Sequence, residues 1–141
     1  MKKILVTGGS GFLGKSICQK LLSLGYQVTS LSRKPSSYLS SLGIPSLLCD
    51  ITKREELTRS VKGFHAVIHC AAKAGIWGRK EDFFRINVLG TKNLIHSMKK
   101  NKIPYLVYTS SPSVVFGDQD IINGKEDLAY PSVFYSDYGS S

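Results

Sequence analysis

The 141-residue sequence predicts an α/β fold built on a doubly wound, parallel β-sheet. Short apolar runs alternate with helical patterns along most of the chain. A glycine-rich stretch, Val6 to Gly14, stands between the first apolar run and the first helical pattern. The length is that of one domain. The composition, with 42% hydrophobic and 21% charged residues, is typical of a globular protein. Residues 1–141 are therefore expected to form one domain.

Composition narrows the class of protein further. No apolar run approaches the ~20 residues of a membrane-spanning helix, and the N-terminus lacks the pattern of a signal peptide. The cysteines Cys18, Cys49 and Cys70 are odd in number and widely separated. This spacing predicts reduced thiols in a cytoplasmic protein, with no disulfide framework and no metal site.

The formal net charge of +9 is compatible with three kinds of partner: nucleic acid, anionic lipid or a polyphosphate cofactor. The basic residues are dispersed along the chain, and no base-stacking or recognition-helix motif accompanies them. Nucleic acid is therefore the least favoured partner.

Apolar spacing predicts the elements of the first half of the chain. A first helix is predicted over 11–24, and Gly25 is placed to cap it. Strands are predicted over 4–6, 27–31 and 46–49, with a loop between the last two. The capping-box spacing of Thr52 to Glu55 then predicts the start of a short helix.

The second half continues the alternation. Residues 64–70 form a nearly continuous apolar run, as expected of a central parallel strand. A long helix is predicted over 81–101, and a fifth strand over 105–109. The inward face of that helix is predicted to hold Phe84, Val88, Ile95 and Met98. Beyond Ser110 the chain is predicted to be loop, with Gly117, Asp118, Gly124 and Pro131 as turn signals.

The glycine-rich stretch predicts a phosphate site. A helix N-terminus offers unpaired amides and a partial positive charge, and glycines let the backbone approach a pyrophosphate closely. Gly8, Gly11 and Gly14 are spaced by three and three, whereas the more familiar dinucleotide motif is G-x-G-x-x-G. An ordinary glycine-rich turn is the alternative. The predicted cradle consists of Gly8, Ser10, Gly11, Phe12, Leu13 and Gly14.

The end of the second strand bears on the choice of cofactor. Ligands of such sheets bind outside the carboxyl ends of the strands, and NAD-binding domains usually carry an acidic residue at this place. Here Ser32 stands there, followed by Arg33 and Lys34. An arginine fork holds a 2′-phosphate, which a carboxylate would repel. NADP is therefore favoured, with NAD as second choice; solvated loop charges are the alternative.

The next two strand ends complete the predicted crevice. Asp50 and Ile51 are predicted to bracket adenine, with the carboxylate accepting from its amino group. The alternative is an aspartate that starts a helix. Cys70, Ala71, Ala72 and Lys73 at the end of the fourth strand are predicted to converge on the same crevice, together with Ser110 to Ser113 at the end of the fifth.

These motifs, taken in order, resemble the extended short-chain dehydrogenase/reductases, which include NAD-dependent epimerases and dehydratases. The matching stretches are 7–14, 50–51, 69–72, 87–93 and 108–117. Within that superfamily the sequence looks closest to the 3β-hydroxysteroid dehydrogenase-like branch. Residues 71–78 are similar to the corresponding stretch of bacterial 2-alkyl-3-oxoalkanoate reductases.

The resemblance implies a Rossmann fold and hydride transfer between a nicotinamide cofactor and a lipid-like substrate. It also implies a catalytic serine, tyrosine and asparagine, which match Ser111 (with Ser113 as fallback), Tyr138 and Asn87. A serine hydroxyl stabilises a developing oxyanion, and a phenol supplies the proton. Taken singly, each residue has a structural alternative: a turn serine, an ordinary tyrosine or a packing amide.

The resemblance further implies a lysine four residues after Tyr138 and a later substrate domain, neither of which 141 residues contain. The chain is therefore expected to be a C-terminally truncated Rossmann domain with an exposed sheet edge. Residues after about 116 are expected to lack packing partners. The expected partner is a small lipid-like substrate, and homodimer formation stays open.

Three hypotheses for function follow. The first is the NAD(P)-binding portion of an oxidoreductase that acts on a 3-oxo or 3-hydroxy group of a lipid-like or steroid-like substrate. The second is a non-catalytic dinucleotide-binding module. The third is a basic nucleic-acid-binding domain, which only the net charge of +9 suggests. Within the superfamily, a sugar-nucleotide epimerase or dehydratase is an alternative activity.

Overall fold

The computed structural model describes residues 1–75, 77–117 and 120–141. Ile76, from the stretch 71–78, and Asp118, from the predicted C-terminal loop, lie outside the described residues. Five strands form one sheet in the order β3-β2-β1-β4-β5, and every neighbouring pair is parallel. The strands are β1 (Lys3–Thr7), β2 (Gln27–Ser32), β3 (Ser46–Leu48), β4 (Ala66–His69) and β5 (Tyr105–Tyr108). The predicted doubly wound parallel sheet is confirmed.

Helical segments connect the successive strands. They are α1 (Phe12–Ser23), α2 (Ser37–Ser41), α3 (Arg54–Ser60), α4 (Lys80–Phe83), α5 (Gly90–Lys100) and, after β5, α6 (Asp137–Ser140). A π-helical segment, Phe84–Leu89, joins α4 to α5, and a 3₁₀ turn, Pro112–Val114, follows β5. Gly25 has φ +80 just after α1, which confirms its predicted capping role.

Side chains that alternate along the strands build a core on each face of the sheet. One core contains Ile4, Val6, Cys18, Val28, Leu39 and Ile44, and therefore packs α1 and α2 on the sheet. The other contains Leu5, Leu31, Cys49, Ile51, Leu57, Val61, Val67, Leu94, Met98 and Ile103, and packs α3 and α5 on the opposite face. Helices on both faces leave the strand ends as the natural place for a ligand.

The inward face of the long helix differs from the prediction. Phe83 rather than Phe84 is fully buried, and Ile95 is 37% exposed, so its inward assignment was wrong. Two causes are visible. The π-helical segment interrupts the 3.6-residue spacing, and inward positions of α5 are taken by polar residues. Asn93, for example, donates from Nδ2 to the carbonyl oxygens of Ile51 and Thr52.

Two further local predictions were wrong. A short helix, α2, occupies part of the predicted loop after β2, because Ser36 caps it and Leu39 is fully buried. The capping box at Thr52 does not form, since the N-cap of α3 is Lys53 and no side chain caps it. Instead, the Thr52 amide donates to Asp50 Oδ1 at 2.9 Å.

The sheet ends on one side at β5, and all four of its residues are exposed, between 37% and 57%. Hydrophobic side chains therefore stand open on both faces of this strand, as Leu106 and Val107 show. The expectation of an exposed sheet edge is confirmed for β5.

Candidate functional site

The carboxyl ends of β1 to β4 surround a crevice of about 520 Å³. Most of the predicted cofactor residues line it: Gly8, Ser10, Gly11, Ser32, Arg33, Asp50, Ile51, Ala71, Ala72 and Lys73. The ends of β1 to β4 thus converge as predicted, whereas Ser110 and Ser111, after β5, line a separate pocket instead. Four residues of the predicted set lie outside this lining: Phe12, Leu13, Gly14 and Lys34.

Those residues of α1 have other surroundings. Phe12 is 96% exposed, whereas Gly14 is buried beneath the glycine-rich loop. A Cβ atom at Gly14 would stand 2.7 Å from Gly9 Cα and 2.8 Å from Gly8 C. The third glycine therefore allows the helix to pack closely on the loop.

The glycine-rich loop presents backbone amides at the N-terminus of α1. Gly8 has φ +68 and donates from its amide to the Leu31 carbonyl at 2.9 Å. A Cβ on Gly8 would lie 2.8 Å from the Ala71 nitrogen, so the two loops meet backbone to backbone. Gly11 is the N-cap of α1, with no side-chain cap and no acidic residue in the first turn. The first-turn amides and the positive end of the helix dipole are therefore free to hold an anion.

The end of β2 forms the other side of the crevice. The buried Ser32 donates from Oγ to the Lys34 carbonyl at 2.7 Å, and this bond shapes the turn that carries Arg33. Arg33 is exposed and has no carboxylate oxygen within 4 Å among the described residues. Its guanidinium is therefore available to an anionic group in the crevice.

Asp50 follows β3 and lines the crevice next to Ile51. Burial by itself raises the pKa of Asp50, but hydrogen bonds from Thr52 and the charges of Arg33 and Arg85 outweigh it. The pKa therefore lies below its usual value, and Asp50 is ionised at neutral pH. The carboxylate lines the crevice and accepts from the Thr52 amide, but it does not cap α3, so the alternative role as a helix-starting aspartate was wrong. Its contact with adenine stays a prediction.

Sequence reasoning missed part of the lining. Asp82, Arg85 and Ile86 line the crevice from α4 and the π-helical segment, and Leu31 and Cys49 line it from the ends of β2 and β3. The signal was present in the sequence: positions 82, 85 and 86 have the i, i+3, i+4 spacing of one helix face.

A second, smaller pocket of about 50 Å³ adjoins the crevice through Ala71 and Ala72. It brings together the three predicted catalytic residues, Ser111, Tyr138 and Asn87. Ser111 Oγ accepts from the Ser113 amide at 3.3 Å and lies 3.1 Å from Ser113 Oγ. Ser113 itself does not line the pocket.

The Asn87 side chain is occupied by backbone contacts. Its Oδ1 accepts from the Lys73 amide at 2.8 Å, and its Nδ2 donates to the Lys73 carbonyl at 3.1 Å. Nδ2 also donates to Ser141 Oγ at 2.8 Å. Asn87 therefore ties the loop after β4 to the last residue of the sequence.

Helix α6 carries Tyr138 to the pocket. It is capped by Ser136, whose Oγ accepts from the Gly139 amide at 3.0 Å. The Tyr138 ring lies 6.4 Å from that of Phe83, and Gly139 is buried against the Ser113 carbonyl. The expectation that all residues after about 116 lack packing partners is therefore wrong for this helix.

A buried histidine joins the elements around both pockets. His69 Nδ1 is hydrogen-bonded to Thr7 Oγ1, and Nε2 to Thr91 Oγ1 at 2.9 Å. Its carbonyl accepts from Thr109 Oγ1 at 2.8 Å. Burial lowers the pKa of His69 to about 4, so the ring is neutral at pH 7. His69 belongs to a stretch that the sequence analysis singled out, 69–72, but its contacts were not predicted. They join β4 to β1, to α5 and to the segment after β5.

All three cysteines are free thiols. Burial raises the pKa of Cys18 and Cys49 to about 11 and also raises that of Cys70. Within the described ranges, no group of three or more His, Cys, Asp or Glu side chains is placed to hold a metal ion. No helix of that part of the chain is both long and apolar enough to cross a membrane.

The sheet order, the glycine-rich loop after β1 and the crevice across the strand ends define a Rossmann-type, dinucleotide-binding fold. The sequence model of the 3-beta hydroxysteroid dehydrogenase/isomerase family matches residues 5–141. The chain therefore belongs to this family, and the resemblance of its motifs is confirmed at that level.

Individual relatives agree with this assignment. The chain is 40% identical over 136 residues to a 2-alkyl-3-oxoalkanoate reductase of Shewanella oneidensis, covering 96% of this chain and 35% of the relative. It is 38% identical to a 3-beta-hydroxysteroid dehydrogenase of Mycolicibacterium neoaurum, covering 94% and 38%. The chain thus spans little more than a third of the length of these relatives.

Solved structures show the same fold. A UDP-glucose 4-epimerase of Thermus thermophilus in complex with NAD superposes with a TM-score of 0.84 at 28% identity. The match covers 98% of this chain and 46% of the epimerase.

Proposed function

We propose that residues 1–141 are the NADP-binding domain of an oxidoreductase that acts on a 3-oxo or 3-hydroxy group of a lipid-like or steroid-like substrate. The proposal that the cofactor is NADP rests on one observation. The glycine-rich loop that leads into the N-terminus of α1 and the exposed Arg33 line the same crevice. The substrate class is supported by the names of the relatives, a 2-alkyl-3-oxoalkanoate reductase and a 3-beta-hydroxysteroid dehydrogenase.

The residues of the crevice fit such a cofactor. The first-turn amides of α1 would hold the pyrophosphate, because the amides of Gly8 and Gly11 already donate to the Leu31 and Gly8 carbonyls. Arg33 would hold the 2′-phosphate. Asp50 and Ile51 would bracket the adenine, and the loop 71–73 would close the crevice toward the second pocket. When bound, the nicotinamide supplies or accepts the hydride.

The second pocket has the groups for the accompanying proton transfer. The Tyr138 phenol would donate a proton to the substrate oxygen during reduction, which is worth about 10²–10⁴-fold in rate. Ser111 Oγ would donate a hydrogen bond to the same oxygen as negative charge develops, which is worth about 10²–10³-fold. Asn87 would act by holding the Lys73 loop in place.

The cofactor proposal is tested by calorimetric titration of the 141-residue chain with NADP and with NAD. NADP is expected to bind more tightly. Arg33→Asp is expected to weaken NADP binding by about 1.5–3 kcal/mol, the range for a charge-assisted hydrogen bond. Tighter binding of NAD, or an unchanged NADP affinity in Arg33→Asp, would overturn the proposal.

The activity proposal concerns a longer protein. We expect no turnover by residues 1–141 alone, because the relatives are more than twice as long and α6 has only four residues. NADPH oxidation with 3-oxo acids, 3-ketosteroids and small ketones is compared between this chain and one extended beyond Ser141. Equal rates from both chains would contradict the proposal. Activity of the extended chain that survives Tyr138→Phe would contradict the role given to the phenol.

The similarity to an NAD-bound UDP-glucose 4-epimerase favours one second candidate, a sugar-nucleotide epimerase. The titration separates the two by cofactor, and the extended chain separates them by substrate. Conversion of UDP-glucose with no net NAD(P)H change would favour the epimerase, whereas net NADPH oxidation by 3-oxo substrates favours the oxidoreductase.

A further inference from the structure

A second arginine faces the same crevice as Arg33. Arg85 lies on the π-helical segment and, with Asp82 and Ile86, forms the helical wall of the crevice. Its side chain is 50% exposed, so the guanidinium has access to both solvent and ligand. Arg33 and Arg85 come from separate elements of the chain, and only the fold places them in one cavity.

Asp82 restrains this arginine. Arg85 Nη2 lies 3.3 Å from Asp82 Oδ1, and Arg79 Nε lies 3.3 Å from the other carboxylate oxygen. Arg79 is 80% exposed and does not line the crevice. Two arginines thus share one carboxylate, so the three side chains together carry one net positive charge. Of the two arginines, Arg85 is the one that lines the crevice.

Arg33, Asp50 and Arg85 line the same crevice. Burial alone raises the pKa of Asp50, but the Thr52 hydrogen bonds and then the charges of Arg33 and Arg85 lower it further than burial raises it. This direction of the Asp50 pKa agrees with the shared cavity, because both arginines line it together with the carboxylate at the end of β3. This is the end of the crevice where the proposed function places the adenosine.

We propose that Arg85 is a second specificity residue for the 2′-phosphate of NADP and acts together with Arg33. A 2′-phosphate carries up to two negative charges, and one arginine balances one of them. A guanidinium already oriented by Asp82 loses little conformational freedom when it binds an anion. This inference rests on the proposed NADP preference. It adds Arg85 to Arg33 as a residue that recognises the 2′-phosphate, because the fold places both arginines in one crevice.

The test uses calorimetric titration of the 141-residue chain with adenosine 2′,5′-bisphosphate and adenosine 5′-monophosphate. The ratio of the two affinities measures recognition of the 2′-phosphate and cancels effects on adenine or on the 5′-phosphate. Arg85→Gln is expected to weaken bisphosphate binding about 5- to 20-fold, and monophosphate binding less than about 2-fold. Arg85→Lys is expected to keep part of the preference, because it retains the charge without the fork.

Arg79→Gln is the matched control, since it removes the other arginine bound to Asp82 from outside the crevice. It is expected to change the affinity ratio less than about 2-fold. An unchanged ratio in Arg85→Gln, or an equal loss for both nucleotides, would overturn the role of Arg85. If the unaltered chain itself binds both nucleotides equally, the NADP preference fails, and this result is distinct from a failure of Arg85 alone.

Discussion

The packing of α1 on the glycine-rich loop yields a quantitative prediction at Gly14. A Cβ at this position would overlap the Gly8 carbonyl oxygen and would stand 2.7 Å from Gly9 Cα. Ordinary contacts begin near 3.4 Å, so loop and helix must separate by more than about 0.7 Å. The obstructing atoms are backbone, which cannot rotate away. We take the upper end of the overpacking range, about 3 kcal/mol, and subtract about 1 kcal/mol for the better helix propensity of alanine. Gly14→Ala is then expected to lower the free energy of unfolding by about 2 kcal/mol.

The assay is urea and thermal unfolding followed by circular dichroism. For a chain of this length, the expected loss corresponds to a melting temperature lower by about 5–10 °C. Gly11→Ala is the matched control, because its Cβ would meet a single atom, the Gly8 carbonyl oxygen, at 3.2 Å. It is expected to cost less than about 1 kcal/mol. Equal unfolding midpoints for the two variants would refute the packing argument.

Three further predictions concern binding, pH and thiol reactivity. Gly11→Val should abolish binding of NADP in calorimetry while helical content measured by circular dichroism stays largely intact, because the side chain obstructs the pyrophosphate. His69 has a pKa of about 4 when folded against 6.5 when unfolded, so its stabilisation is complete above pH 6.5. Up to about 3 kcal/mol of the free energy of unfolding should be lost as the pH falls from 6.5 to 4. In urea titrations of His69→Gln over this range, the slope of the free energy of unfolding against pH should be smaller by the equivalent of about one proton. Native Cys18 and Cys49 should react with Ellman's reagent at pH 8 far more slowly than in urea, since burial raises each thiol pKa to about 11.

Much of the fold follows from patterns between neighbours in sequence. Alternating apolar runs predict the order of strands and helices, and the stretch Gly8 to Gly14 predicts a phosphate-binding turn. The same local signals predict Arg33 and Asp50 at strand ends, because in a parallel sheet every strand end points to one edge. These features can be predicted from the sequence because they depend on residues that are close together along the chain.

Features that depend on contacts between distant segments were not predictable in this way. Apolar spacing placed Ile95 inward, but Asn93 takes an inward position because its amide binds the carbonyls at residues 51 and 52. Arg85 shares a cavity with Arg33 only because the helix after β4 packs across the strand ends. Likewise, burial keeps His69 neutral, and its two ring nitrogens are hydrogen-bonded to hydroxyl groups of two other elements, Thr7 and Thr91. Hydrogen-bond partners and cavity walls come together only on folding, so one-dimensional periodicity carries little information about them.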